Sequence, residues 1–316
     1  MSTLRERLSR RAALLEEVRA FFRQRGVLEV TTPVLGSAGG TDPAIEPFQT
    51  RYHGPGADDG LTLFLQTSPE FHMKRLLAAG SGDIYQVMPV FRQGELGPRH
   101  NPEFTLLEWY RLGFDHHRLM EEVGELVNHC LGEERDLEKR SYCSLFQERF
   151  GWDPLSVTPE TLQATAAAHG LEVKGLEDRD QWLDLLMSMV VEPELGREKL
   201  TFVHDYPASQ ASLARLNPRD PRLACRFELY VDGVELANGF HELSDPVEQL
   251  ARFEVDNLDR QRKGQQVLPV DRHFIAALEQ GLPDCSGVAL GLDRLLMLAT
   301  GASSLSEVLS FPLAQA

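Results

Sequence analysis

The spacing of apolar residues divides the chain into helical and extended segments. Between residues 4 and 25, apolar side chains return every three or four positions, which predicts an amphipathic helix that ends before Gly26. Shorter apolar runs bounded by turn residues predict β-strands. These strands are expected at 27–35, 61–67, 84–91, 104–112, 200–207, 224–231, 234–243 and 284–291. The stretches 36–43 and 53–60 are rich in glycine and are expected to be loops.

Helical periodicity dominates the middle of the chain. Helices are predicted there near 119–131, 158–170 and 182–190, and elsewhere at 68–80, 245–263 and 292–301. In the helix at 68–80, Ser68 is expected as the N-cap and Pro69 as the first helical residue. The order of elements predicts an α+β fold with an antiparallel sheet flanked by helices. We expect a single domain over 1–316 with a helical insertion at about 115–199.

The composition is typical of a globular protein and indicates the cellular compartment of the chain. The chain has 316 residues, of which 42% are hydrophobic and 25% charged. No run approaches the roughly 20 apolar residues of a membrane span, and the N-terminus has no apolar signal region. The four cysteines are far apart and form no paired motif, so reduced thiols are expected. These features predict a soluble cytoplasmic protein with no membrane partner.

Net charge bears on the choice of partner. The formal net charge is −16, whereas proteins that bind many nucleic-acid phosphates usually display a basic surface. The one basic concentration is 5–25, with seven Arg and three Glu. Its apolar stripe (Leu4, Leu8, Leu15, Val18, Phe22) indicates that these arginines form the solvated face of a helix. We therefore expect no tRNA partner.

The densest polar group lies between two predicted strands, in the segment FRQGELGPRHNPEFTLLEWY at 91–110. Hairpin loops usually consist of turn residues, but this one carries Arg92, Glu95, Arg99, His100, Asn101 and Glu103. No P-loop, dinucleotide fingerprint or paired-cysteine zinc motif occurs in the sequence. Any nucleotide chemistry must therefore use another arrangement, and this loop is a candidate for it.

Arg294, in the segment 287–298, is a cation at a helix position where cations are disfavoured. It falls in the first turn of a predicted helix, where the helix dipole disfavours a cation. Gly287 and Gly291 in the preceding strand suggest the close approach of another group. A bound anion would resolve the conflict, and a distant carboxylate would do so equally well.

Two acids lie close together in the segment 233–245. Glu235 and Glu242 are an odd number of residues apart, so a regular strand would place them on opposite faces. A bulge at Asn238-Gly239 would return both to one face. Two carboxylates on one face suit Mg²⁺ or an ammonium group, although the two residues taken alone are better explained as surface acids.

Taken together, these segments resemble the three signature motifs of class II aminoacyl-tRNA synthetases. The segment 10–35 resembles motif 1, 91–110 motif 2 and 286–298 motif 3. The chain is most similar to the lysyl-tRNA synthetase catalytic domain and to its shortened paralogues, the family that ligates (R)-β-lysine to elongation factor P. Further segments that carry this likeness are TSPEFHMKRLL, YPASQASLA, ELANGFHEL and PDCSGVALGLDR. The resemblance implies the class II catalytic fold, ATP as a substrate and Mg²⁺ as a cofactor.

The resemblance also implies roles for individual residues. Arg92 and Arg294 would be catalytic, with Arg92 at the α-phosphate of ATP and Arg294 at the γ-phosphate. Phe104 would stack on adenine. The remaining nucleotide-binding residues would be Glu95, His100, Asn101, Glu235, Leu236 and Gly291, and Glu235 and Glu242 would bind Mg²⁺. The amino-acid pocket would be lined by Ser68, Pro69, Glu70, Glu108, Tyr110, Asn238, Glu242 and Ala289.

Two departures from the family pattern are visible. Gly94 stands where motif 2 usually has Glu, so either Glu95 takes over the contact to the adenine amine or that contact is lost. Ala289 replaces a glycine of the lysyl-tRNA synthetases, and its methyl group would reshape the pocket for another lysine isomer.

Three functions remain open at this point. The first is an ATP-dependent ligase that activates (R)-β-lysine or lysine and transfers it to a lysine of elongation factor P. The second is a lysyl-tRNA synthetase-like enzyme, which the net charge and the start of the chain at motif 1, leaving no room for an anticodon-binding domain, disfavour. The third is a non-catalytic nucleotide-binding regulator, suggested only by Gly94. Motif 1 and Pro33 in an edge-type strand further imply a homodimer.

Overall fold

The computed structural model describes residues 3–176 and 178–316. Its α-helices are α1 (Leu4–Gln24), α2 (Glu70–Ala78), α3 (His116–Leu131), α4 (Tyr142–Phe150), α5 (Pro159–Ala168), α6 (Arg179–Leu186), α7 (Pro246–Arg262), α8 (Arg272–Gly281) and α9 (Leu292–Thr300). Its strands are β1 (Leu28–Glu29), β2 (Leu35–Gly36), β3 (Gln49–Gly54), β4 (Ala57–Leu65), β5 (Ile84–Phe91), β6 (Glu103–Leu112), β7 (Leu137–Ser141), β8 (Leu200–Pro207), β9 (Leu223–Val231), β10 (Val234–His241) and β11 (Cys285–Gly291). This mixture confirms the predicted α+β class.

The chain folds into two compact units. The first comprises Met1–Phe114, Leu126–Glu133 and Ser244–Ala316, and the second comprises Asp115–Glu125 and Glu134–Leu243. Within the described residues, no helix is both long enough and apolar enough to cross a membrane.

The first unit is built on a run of four strands in the order β1-β5-β6-β11. β1 is parallel to β5, whereas β6 is antiparallel to both β5 and β11. The first helix packs its apolar stripe here, because the Phe22 ring stacks on Tyr85 at 4.4 Å between centroids and meets Trp109 edge-on at 5.3 Å. A small sheet in the order β2-β4-β3 completes the strands of this unit.

The second unit has its own run of four strands, in the order β10-β9-β8-β7. The pairs β10–β9 and β9–β8 are antiparallel, and β7 is parallel to β8. A core of aromatic and aliphatic side chains from α4, α5 and α6 packs with residues of β8 and β9, among them Phe146, Trp182 and Tyr230. Strand β9 of this core pairs with β10, which carries Glu235 and ends one residue before Glu242.

Several predicted elements differ from the structure. The strand predicted at 27–35 is two short strands, β1 and β2, because only their residues pair with a neighbouring strand. The stretch 53–60, predicted as a loop, lies largely in the antiparallel pair β3–β4. The helical segment at 115–199 contains the strand β7, and helices α4 and α8 had no predicted counterpart.

The buried residues of α1 and the first residue of α2 also differ from the prediction. In α1, Leu4 and Leu8 are 48% and 46% exposed, and the buried stripe is Leu14, Val18, Phe21 and Phe22. Helix α2 begins at Glu70 with Pro69 as its N-cap, so the predicted roles of Ser68 as N-cap and Pro69 as first helical residue are wrong. The Ser68 hydroxyl nevertheless accepts a hydrogen bond from the Glu70 amide at 3.0 Å.

Candidate active site

The polar loop between β5 and β6 is closed by backbone hydrogen bonds. The Arg92 amide donates to the Pro102 carbonyl at 2.9 Å, directly beyond the last paired residues of the two strands. Further out, Gly97 and His100 exchange amide-to-carbonyl bonds of 3.1 and 3.3 Å. These hydrogen bonds close the backbone of the loop that carries the charged residues.

Arg92 is held by three separate contacts. Its Nε donates to the Thr67 carbonyl at 3.3 Å, and one Nη lies 3.6 Å from Glu95 Oε1. Its guanidinium carbon lies 5.1 Å from the centre of the Phe104 ring, within cation–π range. A half-buried cation fixed in this way is preorganised for an anion.

Arg294 meets the polar loop. It is the third residue of α9, whose N-cap is Gly291. Its Nε donates to the Arg99 carbonyl at 3.3 Å, and its Nη2 lies 2.8 Å from His100 Nε2. Desolvation and the adjacent Arg294 guanidinium lower the pKa of His100, so the ring is neutral and its Nε2 accepts from Arg294. Motif 2 and motif 3 residues are thus brought together, as the resemblance implied.

Asp293, the residue before Arg294, binds Arg11, a contact that the sequence did not predict. Asp293 is 1% exposed and accepts hydrogen bonds from the Arg11 guanidinium and, at 2.6 Å, from the Thr105 amide. Arg11 therefore faces inward, although all the arginines of α1 were assigned to its solvated face. We call Arg11, Thr105 and Asp293 the Asp293 clamp. An acid in the first turn of a buried helix was the only signal in the sequence.

Two further loop residues have contacts that bear on their predicted roles. Asn101 is 8% exposed; its Nδ2 donates to the Glu103 carbonyl at 2.6 Å, and its Oδ1 accepts from the Leu313 amide at 3.2 Å. Its amide therefore supports the loop and the C-terminal segment. Gly94 adopts φ +86°, a left-handed backbone that favours glycine. This turn directs Glu95 towards Arg92, and the choice between its two suggested fates stays a prediction.

Glu108 is the centre of a polar chain in the first unit. It is 2% exposed, and its two carboxylate oxygens accept from the Ser68 and Tyr110 hydroxyls, each at 2.8 Å. Tyr110 follows Glu108 by two residues on β6, so both side chains project from the same face of the strand. Ser68 and Tyr110, both predicted to line the amino-acid pocket, are therefore each hydrogen-bonded to Glu108, a third predicted pocket residue.

The other predicted pocket residues of this unit flank that chain. Glu70 Oε1 accepts from Lys74 Nζ at 2.6 Å, one helical turn along α2. Lys74, a residue type that is usually exposed, is fully buried here. Ala289 on β11 is the register partner of Glu108, so its methyl group projects beside that carboxylate. Gly291 ends β11, and the nearest atom that a Cβ there would meet is Cδ of Arg294, at 3.6 Å.

The two predicted metal-binding acids lie in the second unit. Pairing of β10 with β9 shifts register between Glu235 and Ala237, which places a bulge at Leu236. The predicted bulge therefore exists, but it lies before Asn238-Gly239 rather than at those residues. One extra residue makes the spacing of Glu235 and Glu242 effectively even, so that both return to one face. Glu242 is 1% exposed and Glu235 is half-buried.

Asn238 belongs to a buried network around Glu228. Its Nδ2 donates to Glu228 Oε1 at 3.3 Å, while its Oδ1 is buried without a hydrogen-bond partner among the described residues. Glu228 also accepts from Arg226 at 2.6 Å and from the hydroxyls of Tyr206 and Tyr230 at 2.6 and 2.5 Å. Burial opposes the charge of Arg226, but the Glu228 carboxylate outweighs it and raises the pKa of Arg226. Arg226, Glu228 and Tyr230 alternate along β9 and so share one face, whereas Tyr206 and Asn238 come from the neighbouring strands β8 and β10.

The fold is that of a class II aminoacyl-tRNA synthetase catalytic domain, and comparison with known proteins gives the same family. The chain belongs to this family: the model described as tRNA synthetases class II (D, K and N) matches residues 1–315. It is similar to a protein of Yersinia enterocolitica (serotype O:8 / biotype 1B) named elongation factor P–(R)-beta-lysine ligase. The two are 53% identical over 313 residues, which cover 98% of this chain and 95% of that protein. A protein of the same name from Vibrio campbellii is 52% identical over 309 residues, covering 97% of this chain and 95% of the relative. The resemblance and the fold predicted from the sequence are confirmed.

Proposed function

We propose that this chain is an ATP-dependent ligase that modifies elongation factor P. It activates (R)-β-lysine, or lysine, as an adenylate and transfers the acyl group to the ε-amine of a lysine on that factor. The observation that carries the proposal is the 53% identity to a ligase of that name over 98% of the chain. The arrangement of Arg92, Arg294 and Glu108 supplies the groups that the reaction needs.

The first half-reaction uses the cations of the polar loop and of α9. A carboxylate oxygen of the amino acid attacks the α-phosphorus of ATP, and the bond to the pyrophosphate oxygen breaks. Arg92 at the α-phosphate and Arg294 at the γ-phosphate neutralise charge that spreads over the phosphates. Both side chains are fixed beforehand, so little reorganisation is required at the moment of reaction. Phe104, beside Arg92, offers a face for the adenine ring.

The amino-acid pocket is acidic, which suits a substrate with two ammonium groups. Glu108 is held by the hydroxyls of Ser68 and Tyr110, and its carboxylate cannot swing away when a substrate enters. In the second unit, the buried Oδ1 of Asn238 is an acceptor suited to an N–H donor. The Ala289 methyl group beside Glu108 sets the preference between lysine isomers.

Mg²⁺ is part of this proposal. Glu235 and Glu242 would hold it, because carboxylate oxygens are the ligands that hard divalent cations prefer and the bulge at Leu236 returns both acids to one face. When bound, the ion neutralises phosphate charge.

In the second half-reaction the neutral lysine amine of the acceptor attacks the acyl carbon, AMP leaves, and the amine loses a proton.

We further propose a cytoplasmic homodimer that does not charge tRNA. The proposed acceptor is a translation factor, which places the reaction in the cytoplasm. A two-fold dimer is the commonest symmetry of soluble oligomers, and the likeness of α1 to motif 1 supports it. Against tRNA stand the net charge of −16 and the inward position of Arg11, which reduces the basic face of α1.

The test offers both acceptors to the enzyme in one reaction. Elongation factor P and tRNA are incubated with the enzyme, ATP and labelled (R)-β-lysine, and the products are separated and analysed by mass spectrometry. We expect one added β-lysyl group on elongation factor P and no label on tRNA. A factor whose acceptor lysine is replaced by arginine is the control and stays unmodified. Label on tRNA with an unmodified factor would favour a synthetase, and no adenylate with any lysine isomer would favour a regulator.

A further inference from the structure

Two histidines and a cysteine converge in the second unit, outside the residues assigned to the ligase reaction. His116 opens α3, Cys225 lies on β9 and His241 ends β10. One ligand atom of each lies within 4.8 Å of the other two. Three residues far apart in the sequence thus bring two imidazoles and a thiol to one point.

The donor set and its spacing match those of transition-metal sites. A tetrahedral zinc ion, with bonds of about 2.0–2.3 Å, separates its ligand atoms by about 3.3–3.8 Å. Inward shifts of about 1 Å, within the reach of side-chain rotation, would bring the three atoms to that spacing. Imidazole and thiolate select zinc, cobalt or copper, whereas Mg²⁺ prefers oxygen. The cluster is therefore chemically different from the carboxylate pair Glu235 and Glu242.

His116 has ring nitrogens available for a ligand. The residue is 5% exposed, and in the part of the chain that the structure describes neither ring nitrogen has a hydrogen-bond partner. Its Nε2 lies 3.8 Å from Asp205 Oδ1, which is beyond hydrogen-bonding distance. A buried polar ring without hydrogen bonds is unfavourable, and a metal bond to one nitrogen would satisfy it.

Asp205 lies in the position of a carboxylate that orients a metal-binding histidine. It adopts φ +57°, a left-handed backbone that is rare outside glycine, at a point where the pairing of β8 with β9 shifts register. This bulge turns its carboxylate towards His116 and also to His204 Nδ1, at 2.9 Å. Metal-bound histidines commonly pair their second nitrogen with such a carboxylate. The local distortion of β8 thus places the Asp205 carboxylate beside His116.

We propose that His116, Cys225 and His241 bind a zinc-class transition-metal ion, with Asp205 orienting His116. Three protein ligands leave the fourth tetrahedral position for water. The ion joins the start of α3 to β9 and to the end of β10. Because His241 immediately precedes Glu242, the bound ion fixes the backbone next to a residue of the proposed substrate pocket.

The experiment measures metal binding directly and does not depend on ligase activity. Protein freed of its affinity tag and stripped with a chelator under reducing conditions is titrated with zinc chloride by calorimetry. A parallel sample is titrated with cobalt chloride, and its absorbance is followed. We expect one ion per chain, a thiolate-to-cobalt charge-transfer band and a zinc-dependent rise of the thermal midpoint.

Matched variants separate this site from adventitious binding. Cys225→Ser is expected to abolish the charge-transfer band and to weaken zinc binding at least about 100-fold, because loss of an orienting partner alone costs about 10–100-fold. Cys130→Ser, another buried cysteine in the chain, retains both the band and the affinity. Asp205→Asn keeps the left-handed backbone, retains the band and weakens binding about 10–100-fold.

A second pair of variants covers the case in which Cys225→Ser does not fold. His116→Gln is expected to weaken zinc binding in the same way, whereas His169→Gln, which changes an exposed histidine, does not. Far-ultraviolet circular dichroism checks the fold of each variant. Zinc binding to the folded parent chain that is not stoichiometric, or that survives both Cys225→Ser and His116→Gln, overturns the proposal.

Discussion

Glu228→Gln tests how the buried network of the second unit is stabilised. The side chains of Arg226 and Glu228 are only 18% and 10% exposed, and they pair at 2.6 Å. Removing one partner of such a buried pair leaves the other charge uncompensated and costs about 3–5 kcal/mol. Gln is isosteric with Glu, but its amide nitrogen would face donors. We therefore expect the free energy of unfolding to fall by about 3–5 kcal/mol.

The same network predicts a partial rescue. If most of the loss in Glu228→Gln comes from the uncompensated Arg226 charge, the double variant Arg226→Met/Glu228→Gln is less destabilised than Glu228→Gln alone. Arg226 also donates to the Gln210 carbonyl at 2.7 Å and lies over the Tyr206 ring, so recovery is incomplete. Tyr206→Phe, which removes a single hydroxyl donor to Glu228, is expected to cost only about 0.5–3 kcal/mol.

Urea unfolding followed by circular dichroism measures these differences. The midpoint should fall while the slope stays constant, which marks a change of stability rather than of the denatured state. A loss of less than about 1 kcal/mol in Glu228→Gln would show that the pair is not desolvated as described. Losses that simply add in the double variant would refute the uncompensated charge as their cause.

Four further outcomes are expected. Arg294→Ala should lower lysine-dependent pyrophosphate exchange about 10²–10³-fold in a folded protein. The control Arg262→Ala, which changes an exposed arginine, should keep the parent rate. Equal rates in both variants would contradict the proposed role of Arg294 at the phosphates. Ala289→Gly should shift the ratio of exchange rates between (R)-β-lysine and lysine towards lysine, and an unchanged ratio would remove this methyl group from isomer selection. Burial raises the pKa of Asp256 to about 6 despite the hydrogen bond from Thr41. The folded state therefore holds the carboxyl proton more tightly than the unfolded state, and the free energy of unfolding falls as pH rises from about 4 to 6. Asp256→Asn should stabilise the protein by about 1–2 kcal/mol at pH 7 but not at pH 4, as measured by urea unfolding. Sedimentation at micromolar concentration should give twice the mass of the chain, and a monomer would contradict the proposed dimer.

Local patterns predicted the parts of the site that a single segment determines. The strand, polar loop and strand around Arg92 follow from composition over about 20 neighbouring residues, and the position of Arg294 follows from one strand-to-helix junction. Ser68, Glu108 and Tyr110 were expected in one pocket through the resemblance, and the structure joins them by hydrogen bonds.

What the sequence did not predict depends on register and on distant partners. The bulge of β10 lies at Leu236 because pairing with β9 sets its position, whereas the Asn238-Gly239 pair suggested it two residues later. The inward turn of Arg11 depends on Asp293, and helical spacing alone assigned that arginine to solvent. Likewise, His116, Cys225 and His241 converge only once the second unit has folded.

The Asp293 clamp has a consequence for the timing of synthesis. Arg11 and Asp293 are separated by 282 positions. At about 5–20 residues per second, a ribosome needs roughly 14–56 s to cover that distance. Through this interval α1 lacks the carboxylate that holds it, and all of Glu134–Leu243 is made before Asp293. Arg294 is made one residue after Asp293, so the nascent chain acquires the Asp293 clamp and Arg294 almost together. The contact that fixes α1 to α9 therefore forms only when translation of this chain is nearly complete.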